Sequence, residues 1–171
     1  VRGEISQLDR ALEQTLTRLQ DVEGAIARQA RTVDDMSETA KGSAGRKGKV
    51  LLATVRGDVH TVGKDIVSFM LDINGFEVHD LGVDVPEEKI VQAIKEFKPQ
   101  VVALSGLLSS IYDTMQSTVK AIEKAGLRKQ VKIMVGGGMI DERVKEYCGA
   151  DGFGFLAIDA VRLAKQWVPE K

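Results

Sequence analysis

The sequence predicts an α/β fold, a doubly wound five-stranded parallel sheet preceded by an N-terminal amphipathic helix. Three observations predict it. From Lys49 onward, short apolar runs alternate with helix-period stretches, five of each. The best runs are consecutive Val, Ile and Leu, as in strands buried on both faces. Before Lys49 the texture differs, with one long heptad-like stripe followed by a small polar segment.

The elements follow in order. Residues 1–36 carry Ile5, Leu8, Leu12, Leu16, Leu19, Val22 and Ile26 on one stripe, an amphipathic helical segment that cannot bury its own apolar face. It must pack on a partner chain, as in a homodimeric coiled coil, on the following domain, or on a segment upstream. Residues 37–48, small, polar and with three glycines, read as a linker. Residues 49–171 form the main domain. Its strands are expected at Lys49–Val55, Phe76–Leu81, Gln100–Leu104, Val131–Val135 and, more weakly, Asp151–Phe155. The first helix, Val62–Ile73, is apolar almost all round and is expected to be well buried. The second opens at Pro86-Glu87-Glu88, a proline and two acids suited to a first turn, and stops before Pro99. The third uses Met115, Val119 and Ile122 and ends at Gly126. The fourth spans about Asp141–Cys148, and the fifth packs through Ala157, Val161, Ala164 and Trp167. This is a Rossmann-like, flavodoxin-like arrangement, and on such sheets ligands sit at the carboxyl ends of the strands, near the switch in strand order.

Composition narrows the function classes. Of 171 residues, 24 are basic and 25 acidic, so the formal charge of −1 gives no electrostatic case for nucleic acid or an anionic membrane. Five Phe, two Tyr and one Trp are too few for a base-stacking platform. One Cys and two His exclude an internal disulfide and any zinc or iron site needing three or four such ligands. No apolar run reaches the length of a membrane span and no signal peptide is visible, which predicts a cytoplasmic protein.

The residues just after the strands carry the chemistry. After the first strand comes Asp58-Val59-His60-Thr61-Val62-Gly63. An aspartate two residues before a histidine can accept one ring N–H, fixing the tautomer and making the other nitrogen a better ligand or base. Gly63 lets the backbone approach whatever lies above. Read alone, the pair is first a surface histidine beside an aspartate at a helix start. Ser105-Gly106-Leu107-Leu108-Ser109 follows the third strand and Gly136-Gly137-Gly138 the fourth, so small residues open a slot at the same sheet edge. A P-loop is excluded because Gly63-Lys64-Asp65 lacks its residues, and a dinucleotide fingerprint because only Gly57 and Gly63 are in place. A phosphoacceptor receiver would need an acidic cluster after the first strand and a lysine after the fifth, and neither is present.

Asp58-x-His60-x-x-Gly63, Ser105-x-Leu107 and Gly136-Gly137 together resemble the cobalamin-binding domain, over about residues 47–165. Asp58 through Val67, Asp80-Leu81-Gly82-Val83-Asp84-Val85-Pro86 and Leu104-Ser105-Gly106-Leu107 look like corrinoid methyltransferase proteins and the cobalamin domain of methionine synthase. The resemblance implies cobalamin (methylcobalamin, hydroxocobalamin or a related corrinoid) bound base-off, with His60 as the lower axial cobalt ligand. Asp58 would hold the other ring nitrogen and tune the metal, the catalytic role the resemblance assigns. Val59, Thr61, Val62 and Gly63 would line the cofactor, and the displaced nucleotide tail would thread past Ser105, Leu107, Ser109, Gly136, Gly137 and Phe153. Cobalt would alternate between Co(I) and methyl-Co(III), serving a methyl carrier between a donor-specific methyltransferase and an acceptor methyltransferase that uses tetrahydrofolate or a thiol coenzyme. A reductive activator is a further partner in such systems.

Two departures stand out. Where methionine synthase continues the Asp–His pair to a serine, ungapped alignment from Ser105 puts Ile111, with Ser109 or Ser110 as substitutes. Corrinoid carriers of this class also have a longer helical cap than residues 1–48 provide. The competing readings are the small domain of a B12-dependent mutase, which usually has Ser-Ser-Leu after the third strand, and a cobalamin sensor with residues 5–26 as a coiled-coil stalk. His79 and Cys148 match no functional position and read as structural or surface residues.

Overall fold

The computed structural model describes residues 47–168, so the N-terminal helical segment and all of the linker but its last two residues lie outside the described residues. Five strands, β1 (Gly48–Thr54), β2 (Phe76–Asp80), β3 (Val101–Ser105), β4 (Lys132–Gly136) and β5 (Gly152–Gly154), alternate with five helices, α1 (Val62–Ile73), α2 (Glu87–Phe97), α3 (Tyr112–Lys124), α4 (Glu142–Cys148) and α5 (Ala157–Trp167). The sheet is parallel throughout, in the order β2-β1-β3-β4-β5. This is the flavodoxin-like arrangement expected from the sequence, with the reversal of strand order between β1 and β3.

Period-2 alternation sorts the strand side chains between two layers. Leu51, Ala53, Val55, Val102, Leu104, Ile133 and Val135 join the core built with Ile90 and Ile94 of α2, Met115, Val119 and Ile122 of α3, and Val144 and Cys148 of α4. Val50, Leu52, Val101, Ala103 and Met134 are buried as well, on the opposite face, where α1 packs beside α5. Helix ends follow local chemistry. Gly75 (φ 89) and Gly149 (φ 74) follow α1 and α4 in the left-handed conformation that glycine accepts freely, and Asp141 caps α4 by accepting the Val144 N–H at 3.0 Å. Pro86 precedes α2, while Lys98 at φ 53 ends it before Pro99.

Two expectations are corrected. Val55 is not the end of β1. It lies one residue past the last β1–β3 pair, Thr54 with Ser105, and forms only an isolated bridge to Val85 while its N–H donates to the Ser105 carbonyl at 3.1 Å. Helix α1 matches its expected span but not its expected burial. Its buried residues are Lys64, Met70 and Leu71, whereas Val62 is 72% and Phe69 47% exposed. The helix lies toward the β2 edge of the sheet, so one side meets strands and α5 while the other finds no cover among the described residues.

Candidate functional site

Strand order reverses between β1 and β3, the place where ligands sit on such sheets, and the loops leaving these two strands meet at Asp58. Asp58 is 1% exposed. Its Oδ2 accepts the N–H of Leu107 at 2.6 Å and of Leu108 at 3.4 Å, both from the loop after β3. Its Oδ1 accepts the His60 N–H at 2.9 Å and faces His60 Nδ1 at 2.6 Å. Burial pushes this carboxyl up, but the Leu107 and His60 N–H groups, the imidazole and the Leu108 N–H outweigh it and hold the pKa at about 2. The carboxylate is therefore ionised at neutral pH. An ionised acceptor at Nδ1 requires the proton to stay on that nitrogen, so the Nε2 lone pair is the free one. The His60 side chain is 51% exposed. A single imidazole, tautomer fixed, is thus presented to solvent.

The remaining predicted residues divide by what surrounds them. Val59, Thr61, Val62, Gly63, Leu107 and Ser109 are exposed at the same end of the sheet. Thr61 Oγ1 donates to Asp65 Oδ2 at 2.7 Å, which steadies the first turn of α1. Ser105 and Gly136 lie side by side as paired residues of β3 and β4, and the Gly106 N–H donates to the Gly136 carbonyl at 3.0 Å. Gly137 is explained by the chain itself. It adopts φ 147, and a Cβ there would lie 1.8 Å from the Gly106 carbonyl oxygen. Phe153 is half-buried and packed against the core rather than free in the slot. Ile111, the residue at the serine position of the extended relay, is 2% exposed inside the core. The Asp58 carboxylate is occupied by amide N–H groups and one imidazole, with no hydroxyl among its bonded partners in the described residues.

Several supporting residues were not found from sequence. Thr54, fully buried, donates its hydroxyl to the His60 carbonyl at 3.0 Å. Lys64, its side chain 3% exposed, bonds Asp80 at the end of β2 and reaches Asp65 at 2.8 Å. These two carboxylates keep its ammonium charged despite burial, and its pKa is raised. Arg56 donates to the buried Glu87 at 3.1 Å, which also accepts the Ser117 hydroxyl at 2.7 Å. His79 packs on Phe97 with ring centroids 5.1 Å apart. Cys148 is buried, and burial raises its thiol pKa to about 11. No group of three or more His, Cys, Asp or Glu among the described residues could hold a metal by itself. No helix among the described residues is long and apolar enough to cross a membrane.

Residues 48–162 match the B12 binding domain family. The chain belongs to the B12-binding domain family. A trimethylamine corrinoid protein of Methanosarcina barkeri is 43% identical to it over 128 residues, covering 75% of this chain and 59% of that one. Among solved structures, a cobalamin-binding protein from Desulfitobacterium hafniense DCB-2 is 45% identical with a TM-score of 0.69, covering 70% of this chain and 58% of the other. The methanol:cobalamin methyltransferase complex MtaBC from Methanosarcina barkeri gives 28% identity and a TM-score of 0.68, covering 77% and 50%. The chain thus spans less than two thirds of the length of these relatives.

The B12-binding domain has residues that fit a corrinoid. Four of the six cobalt positions belong to the corrin ring, so a protein with one available imidazole is sufficient on its side. Gly63 gives an independent sign. It lies in the first turn of α1, where glycine is a poor helix former, and a Cβ built on it meets nothing within 4 Å. Among the described residues nothing packs on it, so packing there gives no reason for glycine and the turn is left open to a group laid against it. Around it Val59, Val62, Leu107 and Leu108 present exposed apolar surface of the kind a ligand covers.

Proposed function

We propose that this B12-binding domain holds cobalamin base-off with His60 Nε2 as the lower axial ligand, and carries a methyl group between a donor-specific methyltransferase and an acceptor methyltransferase. The observation that supports it most is the Asp58–His60 pair: an exposed imidazole whose Nδ1 proton is locked by a buried, ionised carboxylate at the switch point of the sheet. The curated relatives, named as corrinoid proteins of trimethylamine and dimethylamine systems, support the carrier role over a mutase or sensor. Tetrahydrofolate or a thiol coenzyme would be the final acceptor, and a reductive activator would restore the reduced metal.

A bound corrinoid would supply a metal that takes up and releases a methyl group. The protein's part is narrower. Asp58 keeps the proton on Nδ1 and thereby keeps the Nε2 lone pair free to donate. Val59, Thr61, Val62 and Gly63 would support the ring, and the small residues Ser105, Gly136 and Gly137 would admit the displaced nucleotide tail beside Leu107. Among the described residues no hydroxyl bonds Asp58, so the pair is not extended to a third side chain there.

The test is uptake of hydroxocobalamin by the purified protein, followed by absorption spectroscopy. The wild type is expected to bind with a base-off, His-on spectrum, and His60→Ala to lose the imidazole-ligated signature. Because the half-exposed His60 ring hydrogen-bonds the buried Asp58 carboxylate, the variant should lose about 1–2 kcal/mol of stability and remain folded. A wild-type protein that takes up no corrinoid would sink the proposal, and an unchanged spectrum in the variant would remove His60 from it.

A further inference from the structure

Asp84, in the loop between β2 and α2, touches the chain on both sides of the Asp58 backbone. Its Oδ1 accepts the Gly57 N–H at 2.8 Å, and its own N–H donates to the Asp58 carbonyl at 3.0 Å. One residue therefore grips two successive residues of the loop after β1. Asp84 does so at φ 51, in the left-handed region that L side chains rarely adopt, with Asp and Asn the better tolerated among them. Core packing does not explain the conformation, because Asp84 is exposed. Nor does the turn alone, since Gly82 two residues earlier takes φ 89 with a glycine. A glycine at 84 would relieve the backbone but forfeit the Oδ1 contact.

The surrounding ladder shows what the grip continues. The Thr54 N–H donates to Gly82 O at 3.0 Å, the Val85 N–H to Thr54 O at 3.0 Å, and Val55 bridges to Val85. Beyond Val55 the sheet pairing ends, and Asp84 extends the attachment of the two loops by a further step, as far as Asp58. From the other flank the Leu107 and Leu108 N–H groups hold the Asp58 carboxylate. The backbone of Asp58 is thus fixed from the β2 side and its side chain from the β3 side.

The geometry points to Asp84 as a positioning residue for the His60 loop: it sets the Asp58 main chain so that the carboxylate meets His60 Nδ1, and so determines which ring nitrogen is left free. The consequence for cobalt rests on the function proposed above, but the clasp itself belongs to the cofactor-free protein.

The experiment uses the full chain, 15N-labelled and free of corrinoid, as wild type, Asp84→Gly and Asp84→Asn. Three quantities are read: Gly57 amide exchange, the His60 ring 15N shifts that report the tautomer, and then affinity for hydroxocobalamin. Asp84→Gly keeps the turn accessible and loses the acceptor, so Gly57 exchange should quicken by about fivefold or more, in line with the loss of one hydrogen bond. The Nδ1–H tautomer of His60 should lose population, and cobalamin affinity should fall. Asp84→Asn retains an oxygen acceptor and tolerance of the left-handed conformation, and should match wild type in all three. Wild-type exchange and tautomer in Asp84→Gly would overturn the inference, as would an Asp84→Asn protein that behaves like Asp84→Gly. If the wild type binds no corrinoid, the methyl-carrier reading fails, while the exchange and tautomer measurements still decide the role of Asp84.

Discussion

Replacing Asp58 with asparagine tests the electrostatic core of the site without a ligand. In the folded protein the carboxyl falls from its ordinary 3.8 to about 2, which corresponds to ~2 kcal/mol favouring the ionised, folded state. Asparagine removes that charge and also turns one acceptor into an NH2 donor. Both Asp58 oxygens accept N–H bonds, Oδ2 from Leu107 and Leu108 and Oδ1 from His60, so either rotamer sets the new NH2 against a buried amide. Adding that mismatch brings the expected loss to roughly 3 kcal/mol at neutral pH. The sign with pH follows from the lowered pKa. The Asp58 contribution is complete above the unfolded value and disappears as pH falls through the folded one. Urea unfolding of both proteins at about pH 7 and about pH 2.5 should therefore show the gap narrowing by ~1.5 kcal/mol. A gap that does not change between the two conditions, or one below about 0.5 kcal/mol at neutral pH, would refute the account of Asp58 as a buried anion held by amides.

Gly63→Ala should separate stability from ligand binding. The added methyl meets no atom and improves helix propensity, so the thermal midpoint should rise, by up to about 1 kcal/mol in stability, while hydroxocobalamin affinity drops. Unaltered affinity would show that nothing is laid on the first turn of α1. Gly137→Ala should cost ~3 kcal/mol or more in urea unfolding, because its Cβ falls 1.8 Å from the Gly106 carbonyl oxygen at a backbone angle alanine disfavours. A wild-type midpoint there would mean that the β3 and β4 loops are not in contact.

The alternating runs made the sheet legible because each element states its own period. Helix α1 ends where its pattern ends, at Ile73, before Asn74 and Gly75. What the pattern could not say is which apolar face meets the sheet. Phe69 looks like a core residue in the sequence, yet stands exposed because α1 lies toward the β2 edge. The site divides in the same way. Asp58 and His60 were readable because their side chains carry the chemistry and their spacing is local. Leu107 and Leu108 hold the Asp58 carboxylate through main-chain N–H groups, which every residue but proline possesses, so the sequence leaves no trace of that role. Asp84 acts through backbone groups of a strand-end loop 27 positions away, and Thr54 bonds a main-chain carbonyl six positions along, so no side-chain motif marks either.

The bonds from Leu107 and Leu108 to Asp58 span 49 and 50 positions of the chain. During synthesis the Asp–His segment emerges well before its second set of donors, and until Leu108 has left the ribosome the aspartate has only nearby partners. Contacts of such separation form late, after the loop-closure cost of joining β1 to β3 has been met. The Asp58 carboxylate therefore gains its full set of donors only on a chain whose central strands have already paired. A half-made domain has the Asp–His motif without the anchored carboxylate, so the state of that one side chain reports completed pairing of β1 with β3.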